Sequence, residues 1–410
     1  MEKHGILIVG AGKIGSAVAS LLAQTKDYQV FLGDVRKPAQ MPIIAENPVE
    51  FIVTDITKPD AIIQFVKSKN IKAVVSCLPF HLTLEVAKIA SVCGIDYFDP
   101  TEDVAITDAV TTIAKTSKGS FAPQCGLAPG FISIAANSLM HGFDSIETVK
   151  MRVGALTQNV SNSLSYALTW SIDGLVNEYL HPCRVIEDGE AKLVPALGGL
   201  ETIMLENCTY EAFHTSGGAG SLVDTYKGKV KNLDYKTMRY PGHCEKMSFL
   251  IKDLQLGKRP ELIKEILSGV IPHAQQDKVL VYVSVEGIKN GQLQEINYSN
   301  TLLPQEVEGN MFTAIQMTTA TGICTLVDMV VHEKKLSGLV KQEDVTLDSF
   351  LKNRFGKYYA RNTTKAKHTF VDIGALENKL HGLVKQEEVF LDNFLKSRFD
   401  AYYANKGECQ

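Results

Sequence analysis

The sequence predicts an α/β protein in two parts, a doubly wound parallel sheet followed by a mixed α/β domain. Three observations carry this: short apolar runs alternate with helical patterns through the first third, a glycine-rich turn follows the first run, and after about residue 127 strand-like alternation takes over. In order, "GILIV" (5–9) precedes the glycine turn and an Ala/Leu-rich helix reaching about Gln24. "QVFLGD" (29–34), "FIVTD" (51–55), a helix over 59–69 and "AVVSCLP" (73–79) come next, the last leading into another helix. "YFDPTED" begins at 97 and "SFAPQCG" ends at 126. Strands separated by helices at this spacing imply a parallel sheet with right-handed crossovers.

Beyond 127, "SIETVKMRVGAL" (145–156), "CRVIEDGEAKLVPA" (183–196) and "YEAFHTS" (210–216) read as strands, the second broken by a turn at Asp188-Gly189. A helix is expected over 166–180. "DKVLVYVSVEGIKNGQLQEINYS" (277–299) is a hairpin turning at Asn290-Gly291, because that dipeptide accepts the positive φ angles of a tight turn. The run at 311–333 is too apolar for a surface helix and is expected to return onto the first domain. The boundaries expected are 1–126, 127–309, 310–360 and a tail at 361–410. That tail holds a duplication: "KLSGLVKQEDVTLDSFLKNRFGKYYA" (335–360) recurs 44 residues later as "KLHGLVKQEEVFLDNFLKSRFDAYYA" (379–404), identical at 19 of 26 positions. One pair is too few for a solenoid.

Composition narrows the function classes. At 410 residues with 45% hydrophobic and 21% charged residues, the chain can build sizeable cores. Its net charge of −4 and pI near 6.2 give no general attraction to nucleic acid. The start has only a five-residue apolar run before its glycines, so neither a signal peptide nor a membrane span is expected there. The eight cysteines are scattered without a CxxC pair, which argues against structural zinc and a disulfide framework. No metal is expected, and the expected setting is a reducing cytoplasm.

Gly10, Gly12 and Gly15 have GxGxxG spacing directly after a strand, with Lys13 and Ile14 opening the helix. Such a turn brings backbone to a pyrophosphate at a helix N-terminus, the signature of a dinucleotide-binding Rossmann domain. Asp34, 19 residues beyond Gly15, ends the second strand where a carboxylate accepts from a ribose 2′-hydroxyl and repels a 2′-phosphate. NAD is expected over NADP, with Arg36 partly offsetting the repulsion. Asp55, at the end of the third strand, is assigned to the adenosine side. Cys77, Leu78 and Pro79, ending the fourth, are assigned to the nicotinamide half.

An acidic protein that gathers four lysines, one arginine and a histidine in "KGKVKNLDYKTMRYPGH" (227–243) invites explanation. Alternation places Tyr235, Thr237 and Arg239 on one strand face and Lys236, Met238 and Tyr240 on the other. Lys227, Lys229 and Lys231 read as guards of an edge strand. Arg239, before a Tyr-Pro-Gly-His turn, is suited to a carboxylate. Ser216 and the amides of "HTSGGAG" (214–220) offer a place for an anionic group.

"QCGLAPGF", "GLVNEY…PCRVIEDGE", "YEAFHTSGG" and "DYKTMRYPGH" together resemble the saccharopine dehydrogenase family, including its lysine 6-dehydrogenase branch, over residues 5 to about 360. The resemblance implies a Rossmann domain, an α/β substrate and dimerisation domain, a pyridine nucleotide and a homodimer. It also implies oxidation of the C–N bond at the ε-carbon of a lysine skeleton. Glutamate leaves from saccharopine, the first choice; ammonia leaves from lysine, the second. A non-catalytic NAD-binding sensor on the same fold is the third reading. In this frame Arg239 is the carboxylate clamp, with Ser216, Gly217 and Tyr240 beside it and Arg152 and Arg184 in reserve. His243 is the candidate base, Glu102 holds the substrate's cation or positions water, and Cys125 lines the nicotinamide pocket.

Overall fold

The computed structural model describes residues 3–38, 41, 47–274, 276–360 and 371–372. The second tail copy lies outside the described residues. Six parallel strands, β1 (His4–Val9), β2 (Tyr28–Asp34), β3 (Glu50–Val53), β4 (Ile71–Ser76), β5 (Asp96–Phe98) and β6 (Phe121–Ala122), form one sheet in the order 3-2-1-4-5-6. Helices α1 (Lys13–Ala23), α2 (Pro59–Ser68), α3 (Phe80–Cys93) and α4 (Val104–Ala114) cover it. Ile6, Leu7, Ile8 and Val9 are all buried, which is why β1 reads as a continuous apolar run and not as an alternation. The strand order reverses between β1 and β4, opening a crevice at their carboxyl ends.

After α5 (Phe131–Met140) comes the second domain: β7 (Ser145–Thr157), α6 (Ile172–Leu180), β8 (Cys183–Glu187), β9 (Glu190–Val194), β10 (Glu201–Leu205), β11 (Cys208–His214), α7 (Leu222–Tyr226), β12 (Val230–Arg239), α8 (His243–Ser248), α9 (Pro260–Val270), β13 (Asp277–Lys289) and β14 (Gln292–Leu302). Its sheet runs β10-β11-β12-β7-β13-β14, with the β8–β9 hairpin attached through β12. Only β12 and β7 pair in parallel within this set. Both expected hairpin turns form, with positive φ at Asp188, Gly189, Asn290 and Gly291.

Two expectations need correction. The helix expected over 166–180 begins only at Ile172, where the Ser171 hydroxyl accepts from Gly174 N. Residues before it are drawn into extended pairing: Leu168 N donates to Pro272 O and Ala274 N to Leu168 O. Nor is β12 an edge strand, since β11 and β7 flank it. Its lysines are balanced locally: Lys227 pairs with Glu190, Lys231 with Glu147, and Lys236 with Glu201 and Asp234, while Lys229 lies over the Tyr226 ring.

Helix α10 (Ala314–Val327) is opened by a Thr313–Gln316 capping box, and Asp277 accepts from Ala314 N and Ile315 N. It continues to His332 and is long and apolar enough to cross a membrane, but 89% of its apolar window is buried inside the protein. One face packs on α1, where the Cys324 thiol meets Val18 O. The first tail copy then docks on the first domain: Leu339 bridges to Phe121 beside β6, and Phe350, Phe355 and Tyr359 are buried.

Candidate active site

The glycine loop is shaped by close backbone approach. Gly10 has φ +107, and a Cβ there would lie 2.6 Å from Cys77 O. A Cβ on Gly15 would lie 1.9 Å from Gly10 O, whereas one on Gly12 would meet nothing within 4 Å. The first and third glycines therefore clamp turn, strand and helix together, and the second leaves open backbone at the N-terminus of α1. Asp34 Oδ2 accepts from Ala11 N at 2.7 Å, fixing its carboxylate beside the loop. These residues fit a dinucleotide pyrophosphate and ribose.

A cleft of about 580 Å³ runs from this loop into the second domain. Gly12, Lys13 and Ile14 line one end, with Cys77, Leu78 and Pro79 beside them. The other end is walled by Trp170, Glu178 and Glu102 and by the β12 face that presents Tyr235, Thr237 and Arg239. Arg239 is buried. Its Nε donates to the Tyr179 hydroxyl at 3.2 Å, and its Nη1 donates to Thr237 Oγ1 at 2.6 Å and to Met238 O at 2.9 Å. Nη2 has no hydrogen bond among the described residues, so the guanidinium is braced on one side and presents the other to the cleft. The basic stretch 227–243 is explained here: of its four lysines and one arginine, Arg239 alone lines the cleft.

The acidic wall has its own architecture. Gly174 and Glu178 are one turn apart on α6 and share a face. A Cβ on Gly174 would lie 2.2 Å from the Trp170 ring and 3.0 Å from Glu102 Oε1, so this glycine admits both side chains. Burial pushes Glu178 up to about 8, with the nearby Glu102 adding to the shift and Arg239 opposing it. Burial likewise pushes Glu102 up to about 7; its own backbone amide opposes the shift, and Asp103, Asp99 and Asp173 add to it.

Several residues assigned from sequence lie elsewhere. His243 is buried outside the cleft wall, and its Nδ1 donates to Leu164 O at 3.0 Å, leaving Nε2 to accept from the Tyr179 hydroxyl at 3.0 Å. Burial and the Arg239 charge push it down to about 3. It is a neutral brace for Tyr179 and, through it, Arg239, and not a base. Cys125 is buried with its thiol against Asp99 O, and burial pushes that thiol well up. Ser216 is a staple, its hydroxyl donating to Pro182 O and its amide to Glu178 O. Gly217 backs the cleft wall, since a Cβ there would lie 2.0 Å from Glu102 O. Tyr240 points away, donating to Thr157 O beside Lys278. Asp55 turns back onto Thr57 and Lys58. Arg152 is committed to Glu201 and Asp234, and Arg184 to Asp224. Trp170, Glu178 and Tyr179 were not singled out in the sequence; the glycine in the first turn of α6, in "WSIDGLVNEYL" and four residues before a Glu, is the signal that marks them.

A 3-2-1-4-5-6 parallel sheet carrying this loop defines a Rossmann-type dinucleotide-binding protein. Residues 6–122 match the family model for the saccharopine dehydrogenase NADP binding domain, and residues 126–355 match the saccharopine dehydrogenase C-terminal domain. The chain belongs to the saccharopine dehydrogenase family, a family of oxidoreductases that use a nicotinamide cofactor. Among solved structures it is similar to apo saccharopine dehydrogenase (L-Glu forming) from Saccharomyces cerevisiae, at 14% identity and TM-score 0.68, covering 87% of this chain and 98% of that one. A probable dehydrogenase from Thermotoga maritima matches at 12% identity and TM-score 0.42, covering 86% and 99%.

Proposed function

We propose that the protein is an NAD-linked dehydrogenase that oxidises a C–N bond of a lysine-type amino acid. The observation that carries this reading is the braced guanidinium of Arg239 in a cleft that begins at the cofactor loop. A carboxylate on Arg239 tethers the substrate, and Leu127, Leu168 and Trp170 on the cleft wall exclude water from the reacting carbon. Gly12, Lys13 and Asp34 would hold the dinucleotide, which supplies the hydride acceptor. Family membership supports saccharopine as substrate, giving 2-aminoadipate semialdehyde and glutamate. One observation favours lysine instead. Saccharopine carries three carboxylates, yet both reserve arginines are tied up elsewhere and the cleft wall adds Glu102, Asp173 and Glu178. The test is NADH or NADPH formation with saccharopine and with lysine, each with NAD and NADP. Turnover with saccharopine alone supports the glutamate-forming reaction, and turnover with lysine alone, releasing ammonia, supports the deaminating one. Silence in every combination, with cofactor still bound, sinks both and leaves the sensor.

For the cofactor, the family model's description names NADP, whereas the Asp34 carboxylate supports NAD. Replacing Asp34 by Ser removes a charge that opposes a 2′-phosphate. The expected result is a gain of about tenfold or more in kcat/KM for NADP and a loss for NAD, since one like-charge contact is worth over a kcal/mol in a partly desolvated site. A wild-type enzyme already faster with NADP would remove Asp34 as the discriminator.

A further inference from the structure

Glu178 and Glu102 enter the reading above only as negative charge on the cleft wall, and the inference drawn from them rests on that reading. Glu178 is 6% exposed, lines the cleft, and has neither a hydrogen bond nor an ion pair to its side chain among the described residues. Glu102, half-buried at the end of the loop after β5, has among the described residues its own backbone amide as hydrogen-bond partner to its carboxylate. Its Oε1 hangs over the α6 face that Gly174 leaves bare, one turn from Glu178. Burying a carboxyl group without a partner is costly, and two side by side cost more. Among the described residues the cation set against Glu178 is Arg239, which is already braced by Tyr179 and Thr237. The arrangement is complete only when a ligand brings a positive, proton-bearing group.

We propose that Glu178 and Glu102 form the subsite for the ammonium of the amino-acid substrate, and that Glu178 accepts the proton that must leave that nitrogen before its carbon can lose hydride. In this step an N–H bond breaks, its electron pair stays on nitrogen, and an O–H bond forms on Glu178. The ligand class is an amino acid with a carboxylate on Arg239 and a side-chain primary or secondary ammonium on the glutamates. The pair titrates as a unit. Asp99, Asp103 and Asp173 face it from the first domain and α6, Arg239 and Tyr235 from β12, Tyr179 from α6 and Tyr166 from the segment before it, and His273, which pairs with Leu168, also lines the cleft. An ammonium entering this set favours the ionised pair, which is the form able to take its proton.

The experiment compares wild type with Glu178→Gln and Glu102→Gln. In thermal-shift assays with NAD present, 6-aminohexanoate, which has one carboxylate and one terminal ammonium, is expected to stabilise the wild type and not Glu178→Gln. Equal stabilisation of both, or none of the wild type, overturns the subsite. In kinetics, Glu178→Gln is expected to lose on the order of 10²-fold or more in kcat with NADH binding unchanged. Glu102→Gln is expected to keep the rise of kcat/KM with pH but move it to lower pH, because a neutral neighbour eases ionisation of Glu178. A purely structural role would leave that rise where it is, and unchanged kcat in Glu178→Gln overturns the proton transfer. If 6-aminohexanoate binding depends on Glu178 while neither amino acid is oxidised, the ammonium site stands and the dehydrogenase reading falls.

Discussion

Replacing Arg239 by Ala is expected to lower kcat/KM for the amino-acid substrate by on the order of 10²–10³-fold and to leave cofactor affinity near the wild-type value. The size follows from two terms. A charge-assisted hydrogen bond to a carboxylate is worth about 1.5–3 kcal/mol, and a carboxylate left unpaired in a desolvated site raises the loss to about 3–5 kcal/mol. Each 1.4 kcal/mol or so is tenfold. Burial works against the Arg239 charge, but Tyr179, Tyr166 and Glu178 hold it on, and its ring contact with Tyr166 keeps it in place. The cofactor loop lies at the other end of the cleft, so dinucleotide binding is unaffected. Arg239→Lys keeps the charge and loses the planar fork, and an intermediate loss is expected. Steady-state kinetics beside an NADH fluorescence titration checks the split. A kcat/KM that survives the alanine would remove Arg239 as the clamp.

Period and turn chemistry made the fold legible because they act locally. The glycine spacing, the Asp188-Gly189 and Asn290-Gly291 turns and the apolar run at 311–333 each depend on a few neighbouring residues. The alternation that put Tyr235, Thr237 and Arg239 on one face of β12 was legible for the same reason, and that is the face the cleft uses. Residue type misled where burial decides chemistry. An unperturbed histidine titrates near 6.5, which made His243 look like a base; burial and the Arg239 charge keep it neutral, and its hydrogen bonds to Tyr179 and Leu164 make it a brace. An ordinary glutamate is ionised at neutral pH, so nothing in its letter marked Glu178; its environment comes from β12 and the Glu102 loop, distant in sequence. Arg152 shows the converse. As a letter it is a free cation, but the strand register sets it opposite Lys236, and its guanidinium reaches back to Asp234, two residues along β12, and across to Glu201.

Replacing Asp328 by Ala is expected to produce the opposite signature, a large loss of stability with turnover at room temperature little changed. Asp328 is almost wholly buried and accepts from Tyr28 Oη at 2.6 Å, from Asn353 Nδ2 at 2.8 Å and from the guanidinium of Arg354, which also reaches Asp27. Removing it takes the acceptor from buried Tyr28 and leaves buried Asn353 with Glu333 and half-buried Arg354 with Asp27, a cost of about 3–5 kcal/mol, which lowers the melting midpoint by about 5 °C. Activity is spared because Tyr28 begins β2, while the cofactor edge lies at its far end, at Asp34. This cluster fastens the first tail copy to the sheet, and it separates the two copies physically. The second copy has Ser397 where the first has Asn353, and Asp400 where the first has Gly356. A Cβ on Gly356 would lie 1.8 Å from Phe350 O, so a chain with Asp at that position cannot make the same turn. Truncation after residue 360 is therefore expected to keep the wild-type midpoint, while deletion of 335–360 is expected to lower it at least as far as Asp328→Ala even with 379–404 retained. A midpoint restored by the second copy would show that the dock tolerates both departures, and that the tight approach at Gly356 does not set which copy it takes.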